Sequence, residues 1–303
     1  MKKVISVSLG SSKRNSVAEV EILGESVRIE RIGTDGDQAK AIELIRELDG
    51  KVDAFGMGGI DLYVWAGKKR YVLRDAVPIA KAAKKTPIVD GSGLKNTLER
   101  RVIRYLVDEG IMELKDRKVL MVCGVDRFGM AEALTEAGCR MTFGDLIFVL
   151  GLPLPMHSLR SLHVVAAILG PIISKLPFSM LYPTGSKQEN VQPKHARFYR
   201  ENEIIAGDFH FIRRYMPQDM VGKIIITNTV TKDDVEELRA RGVSTLVTTT
   251  PELNGRSFGT NVMEGVLVAL SDKPAEQLSA DDYSVLLDRI GFIPRIEILA
   301  KPK

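Results

Sequence analysis

The sequence predicts an α/β protein in two parts: an N-terminal α/β domain, and a doubly wound Rossmann-like domain whose C-terminal segment returns to the first. Three observations carry this expectation. Short β-branched runs alternate with amphipathic helical stretches along the chain. At 303 residues the chain exceeds one typical domain. From Lys118 to Asp145 an apolar strand, a glycine-bounded turn, a short helix and a second strand follow in the order of a nucleotide-binding βαβ half. The expected divisions are residues 1–114, 115–260 and 261–303.

In the first part, Val4 to Leu9 alternates as a strand and ends at Gly10-Ser-Ser; Ala18 to Leu23 and Ser26 to Ile32 flank a Gly24-Glu25 hairpin turn. A helix begins near Asp37, sets Ala41, Leu44, Ile45 and Leu48 on one face, and stops at Gly50. The strand Val52 to Met57 leads into Gly58-Gly59-Ile60-Asp61, where backbone could approach a ligand and Asp61 would serve as a base or acceptor, or else simply cap a tight turn. Tyr63 to Trp65 and Tyr71 to Leu73 read as a second hairpin. Then Asp90-Gly-Ser-Gly93 opens a helix with Leu98, Val102, Tyr105 and Leu106 on its buried side. Asp90, Ser92, Lys95, Asn96 and Thr97 crowd its start, which favours an anion, although plain capping by Ser92 also accounts for the pattern.

In the second part, the turn Gly124-Val-Asp-Arg-Phe-Gly129 would offer backbone N–H groups and a helix dipole to a pyrophosphate, through Gly124, Asp126, Arg127, Phe128 and Gly129. Asp145 stands about 20 residues on, where a ribose-binding carboxylate belongs, and would favour NAD over NADP. Asp126 occupies the place of the usual middle glycine. Further strands are expected at Phe178 to Tyr182, Glu203 to Ala206, Lys223 to Thr227 and Ser244 to Thr248, with a strong helix from Lys232 to Arg241. Ligands of such sheets lie beyond the carboxyl ends of the strands. That rule nominates Thr248 and Thr249 for a cofactor, Asn254 and Arg256 for a substrate, and Asp208 with His210 as a titratable pair on an extended strand end; Asn261, among polar groups gathered before the next helix, is a further substrate candidate. The helix Ala280 to Ile290 and the strand Arg295 to Leu299 are expected to return to the first domain.

Composition narrows the function classes. A net charge of +4 without a long basic run makes no case for nucleic acid but suits a small anionic ligand. Cys123 and Cys139 lie on core strands without metal-ligand spacing, and His157 and His163 stand six apart, so no metal site is expected. The most apolar stretch is short and broken by prolines, and no leader pattern is evident, so a cytoplasmic protein without a membrane span is expected. A homo-oligomer is left open.

The elements around Asp61, Asp90 to Thr97, Gly124 to Asp145 and Thr248 to Asn261 together resemble a bacterial family labelled quinate 5-dehydrogenase. That resemblance implies the plan of shikimate and quinate dehydrogenases, with a substrate domain, a nicotinamide-binding domain and a Lys/Asp pair handling the proton. It implies an NAD-dependent oxidoreductase acting on a small hydroxylated carboxylate. Lys95 with Asp90 or Asp61 is the nearest match by residue type, and His210 is a second acid/base candidate. Two other readings stay open: a non-redox protein holding a nucleotide or phosphorylated metabolite in the same crevice, and a phosphate-handling kinase-like start at Val4 to Ser12.

Overall fold

The computed structural model describes residues 1–66, 69–173, 175, 193–253 and 256–300. The chain is a mixed α/β protein with two parallel-rich sheets. The first begins with β1 (Lys2–Ser8), β2 (Ser16–Ile22) and β3 (Glu25–Gly33), followed by helix α1 (Gln38–Leu48) and β4 (Ala54–Gly58). A separate hairpin, β5 (Tyr63–Ala66) and β6 (Lys69–Val72), precedes the short α2 (Val77–Ala80) and β7 (Ile88–Val89). The sheet order is β2-β3-β1-β4-β7, antiparallel only between β2 and β3. Alternation along β1 sends Ile5, Val7 and Leu9 to one face, where they pack with Ala41 and Ile45 of α1, and Val4 to the other. Asp37 caps α1 by accepting from the Lys40 N–H at 3.0 Å.

Helix α3 (Ser92–Asp108) carries the chain to β8 (Lys118–Met121), α4 (Phe128–Glu136) and β9 (Arg140–Phe143). Then come α5 (Leu159–Ile173), α6 (Ala196–Glu201), β10 (Ile204–Gly207), α7 (Phe209–Tyr215), β11 (Ile224–Thr227), α8 (Lys232–Ala240) and β12 (Thr245–Thr248). A small hairpin, β13 (Glu252–Leu253) with β14 (Arg256–Ser257), leads to α9 (Thr260–Ala269), α10 (Ala280–Arg289) and β15 (Arg295–Ile298). The second sheet runs β15-β12-β11-β10-β8-β9. Its parallel strands follow the order 2-1-3-4-5 in sequence, so the winding reverses between β8 and β10.

One expectation changes here. The last strand does not return to the first domain: β15 pairs antiparallel with β12 and completes the second sheet. It is α9 that goes back, laying Val262 and Val266 on the face of the first sheet around Val4, Val27 and Ala54. The expected strand at 178–182 lies outside the described residues. Among those described, no helix is long and apolar enough to cross a membrane.

Candidate functional site

The carboxyl ends of both sheets face one cleft, a cavity of about 180 Å³. From the first sheet it takes residues after β1, β4 and β7; from the second, residues after β8, β10 and β11; and the start of α9 closes one end. The backbone is shaped for this approach. Gly59 has φ +71°, and a Cβ there would stand 2.8 Å from the Gly10 nitrogen. Gly91, at φ +94°, lies against Asn261, whose Nδ2 donates to Ser6 Oγ at 2.8 Å.

A chain of buried charges forms the floor. Lys95 Nζ sits 3.0 Å from Asp61 Oδ2 and 3.3 Å from Asp126 Oδ1. Arg127, only 5 % exposed, donates to Glu99 Oε1 at 2.9 Å and to Asp208 Oδ2 at 3.1 Å. Burial alone would lower the Lys95 ammonium, but the Asp126 and Asp61 carboxylates outweigh it and push its pKa above the ordinary value. Burial pushes the Asp61 carboxyl up to about 6, against the pull of Lys95. Burial acts on Asp126 in the same sense, yet Lys95 and Arg127 together hold it down at about 2. Lys95 therefore stands as a cation held between two carboxylates.

Asp90 and Asp61 also differ from each other in kind. Asp90 lines the cleft, but its oxygens already accept from the N–H groups of Leu62, Tyr63 and Ser92 and from the Ser92 hydroxyl. It fixes the 61–63 turn instead of serving as a base. Ser92 is buried in that pair, Asn96 Oδ1 accepts from the Gly129 N–H at 3.1 Å, and half-buried Thr97 does not line the cleft. Of the expected substrate-binding residues, Asn261 reaches the cavity. Asn254 and the side chain of Arg256 lie outside what the structure describes.

The expected cofactor loop is overturned. Asp145 is 4 % exposed and, instead of awaiting a ribose, accepts from the N–H groups of Gly124 at 3.0 Å and Val125 at 2.8 Å. Burial raises its carboxyl to about 6 even so. The first turn of α4 is occupied as well, because Gly129 donates to Asn96 and Met130 donates to Glu99 Oε2 at 3.0 Å. A Cβ on Gly124 would stand 2.8 Å from Leu162 Cδ2 and 3.1 Å from Phe143 Cδ1, so apolar side chains cover the turn. Asp126 and Arg127 pair internally, and Phe128 is buried. Thr248 and Thr249 are wholly buried, with Thr248 Oγ1 donating to the Thr250 carbonyl at 2.7 Å. The amides of Gly124, Val125, Gly129 and Met130, which would hold a diphosphate, are taken by the protein's own carboxylates and carboxamide.

His210 is also not where an extended strand would put it. Asp208 caps α7, its Oδ1 accepting from the His210 N–H at 2.9 Å, and its Oδ2 accepts from Asn228 Nδ2 at 2.7 Å. His210 Nε2 lies 3.0 Å from Arg14 Nη1. Arginine only donates, so this nitrogen is the acceptor of a neutral ring. Burial, reinforced by Arg14, lowers the imidazole to about 4, in keeping with a neutral ring. Arg14, Arg31 and Arg214, all lining the cleft, had no signal in the sequence, because each arrives from a different element.

The comparisons with known proteins give a family and a set of distant structural likenesses. No curated protein sequence matches the chain. Among solved structures, a galactofuranose binding protein is 14% identical over 96% of this chain and 99% of its own, with a TM-score of 0.36. The periplasmic binding protein component of an arabinose ABC transporter from Shewanella sp. ANA-3 is 12% identical over 95% of each chain, also at 0.36. An NAD-dependent malic enzyme from Thermotoga maritima is 11% identical over 96% of this chain and 83% of its own, at 0.33. At these scores neither sugar binding nor nicotinamide chemistry transfers. The NAD-dependent oxidoreductase reading, and its nucleotide-binding alternative in the same crevice, are overturned: Asp145 and Asn96 occupy the Gly124, Val125 and Gly129 amides, which leaves the assignment without its site. Residues 3–90 match the family model described as Domain of unknown function (DUF8753), and residues 93–299 match another. Since the second match spans more than half of its length, the chain belongs to the family described as Domain of unknown function (DUF8754).

Proposed function

We propose that the protein binds a small, uncharged, hydroxylated molecule of about monosaccharide size in the cleft between its two sheets. The observation that carries this reading is the lining: donors and acceptors from both sheets converge on one cavity of about 180 Å³. Drug-sized ligands occupy pockets of roughly 300–1,000 Å³, so the occupant is smaller than these. Five cationic and four carboxylate side chains border the space among the described residues, close to balance, which suits a neutral molecule better than a strongly charged one. Hydroxyl groups both donate and accept, and so match a lining that carries Asp61, Asn261 and Arg214. Phe211, Phe258 and Ile60 supply apolar surface for the C–H faces of a ring.

Calorimetry and thermal unfolding with a panel of neutral hexoses, pentoses and polyols test this, with nucleotides and organic acids as the contrasting arm. A member of the neutral set is expected to bind saturably and to raise the unfolding temperature by mass action. Arg214→Ala and Asp61→Ala are each expected to weaken it by about tenfold or more, since a site built to pair hydroxyls is left with open partners. Absence of saturable binding by any neutral member, or wild-type affinity in both variants, rejects the reading.

A further inference from the structure

The two sheets are joined very differently on the two sides of the cleft. Behind it, α3 packs against α4, α9 and α10, and the chain itself passes between the sheets there. On the other side, a 3-10 turn at Ser12–Arg14 reaches from the first sheet toward α7 and α8 of the second. This turn is anchored on its own side. Asp35 Oδ1 accepts from the Ser12 N–H at 2.7 Å, Asn15 Oδ1 accepts from the Gly33 N–H at 2.6 Å, and Arg31 Nη1 donates to the Ser11 carbonyl at 3.0 Å. From that base Arg14 spans to the opposite wall, with Nη1 3.0 Å from His210 Nε2 and Nη2 3.6 Å from Asp234 Oδ2. The receiving side is equally firm, because Asp208 caps α7, the capping box of Thr231 and Asp234 starts α8, and Arg213 joins the two helices by pairing with Glu237 at 2.7 Å.

We propose that Arg14 is a latch that holds the second sheet closed against the first over the cleft, so that entry and exit of the ligand require the Arg14–His210 contact to open. The inference rests on the cleft being the binding site, but the contact can be tested without a ligand. Its form follows from the geometry: a rigid arm on one domain carries a planar fork, and two acceptors on adjacent helices of the other domain take its two ends. Both Arg14 and His210 also line the cavity, so the latch touches the space it closes.

Hydrogen exchange and small-angle scattering of the full, ligand-free chain test the latch directly. In Arg14→Ala, amides of residues 11–15 and 208–212 are expected to exchange about tenfold faster, equivalent to roughly 1.4 kcal/mol, with a larger radius of gyration. His210→Ala is expected to do the same, and the double variant to add little, since one shared contact is lost. Should either variant fail to fold, the other decides by the same two readouts. Unchanged exchange at both segments, or effects of the two substitutions that simply add, overturns the proposal. Failure of every neutral hydroxylated compound to bind would remove the ligand reading and leave these exchange results standing.

Discussion

Replacing Glu264 with glutamine is expected to flatten the pH dependence of the protein's stability. Glu264 is 3 % exposed on α9, and its Oε1 accepts from the Tyr283 hydroxyl at 2.7 Å. Burial, reinforced by the Asp90 carboxylate, raises its pKa from 4.5 to about 8, against the donation from Tyr283. Between those two pH values the unfolded chain has released this proton and the folded chain still holds it. The unfolded state then binds fewer protons, so stability falls as pH rises through the window, by about 1.4 kcal/mol for each pH unit crossed. A loss of several kcal/mol from this one group by pH 9 is the expected order. A glutamine at this position keeps an acceptor for Tyr283 and cannot ionise. Urea unfolding at pH 5, 7 and 9 should show a steep decline in the native chain and a much shallower one in Glu264→Gln, with the variant the more stable of the two at pH 9. Parallel declines in the two proteins would refute the argument, because the slope would then belong to other groups.

Asp145→Asn should destabilise the chain by about 1–3 kcal/mol in urea unfolding, because one of the Gly124 and Val125 N–H groups would face a carboxamide NH₂ in place of an oxygen. Lys95→Met should cost roughly 3–5 kcal/mol by taking away the cation that Asp61 and Asp126 share, leaving Asp126 to Arg127 alone. Adding Asp61→Asn to it should recover part of that loss, and a double variant no more stable than Lys95→Met would count against the shared role of this lysine.

How far the sequence could be read follows from the range of each force. Periodicity located β1, β3, α1, β8, β10, β11 and β12 because a half-buried strand or helix writes its own spacing into the chain. The sequence also put forward Asp61, Asp126 and Asp208 just after strands and Asn261 at a helix start, and all four line the cleft. It misjudged what they face. A glycine turn followed about 20 residues later by an aspartate is the same string whether the carboxylate waits for a ribose or bonds the turn's own amides, and in the fold Asp145 does the second. The last strand shows the same limit: Arg295 to Ile298 is β-forming sequence, yet its partner is β12, the edge strand of the second sheet's parallel run.

What the sequence by itself determined is the α/β class, most of the strands and helices, and the clustering of polar residues beyond strand ends, since these depend on neighbours a few residues apart. Only the tertiary structure decided which amides are already bonded, which cation holds which carboxylate, and that Arg14 meets His210 across 196 positions of chain. Those outcomes depend on burial and on distances between remote segments. Local pattern carries no record of either.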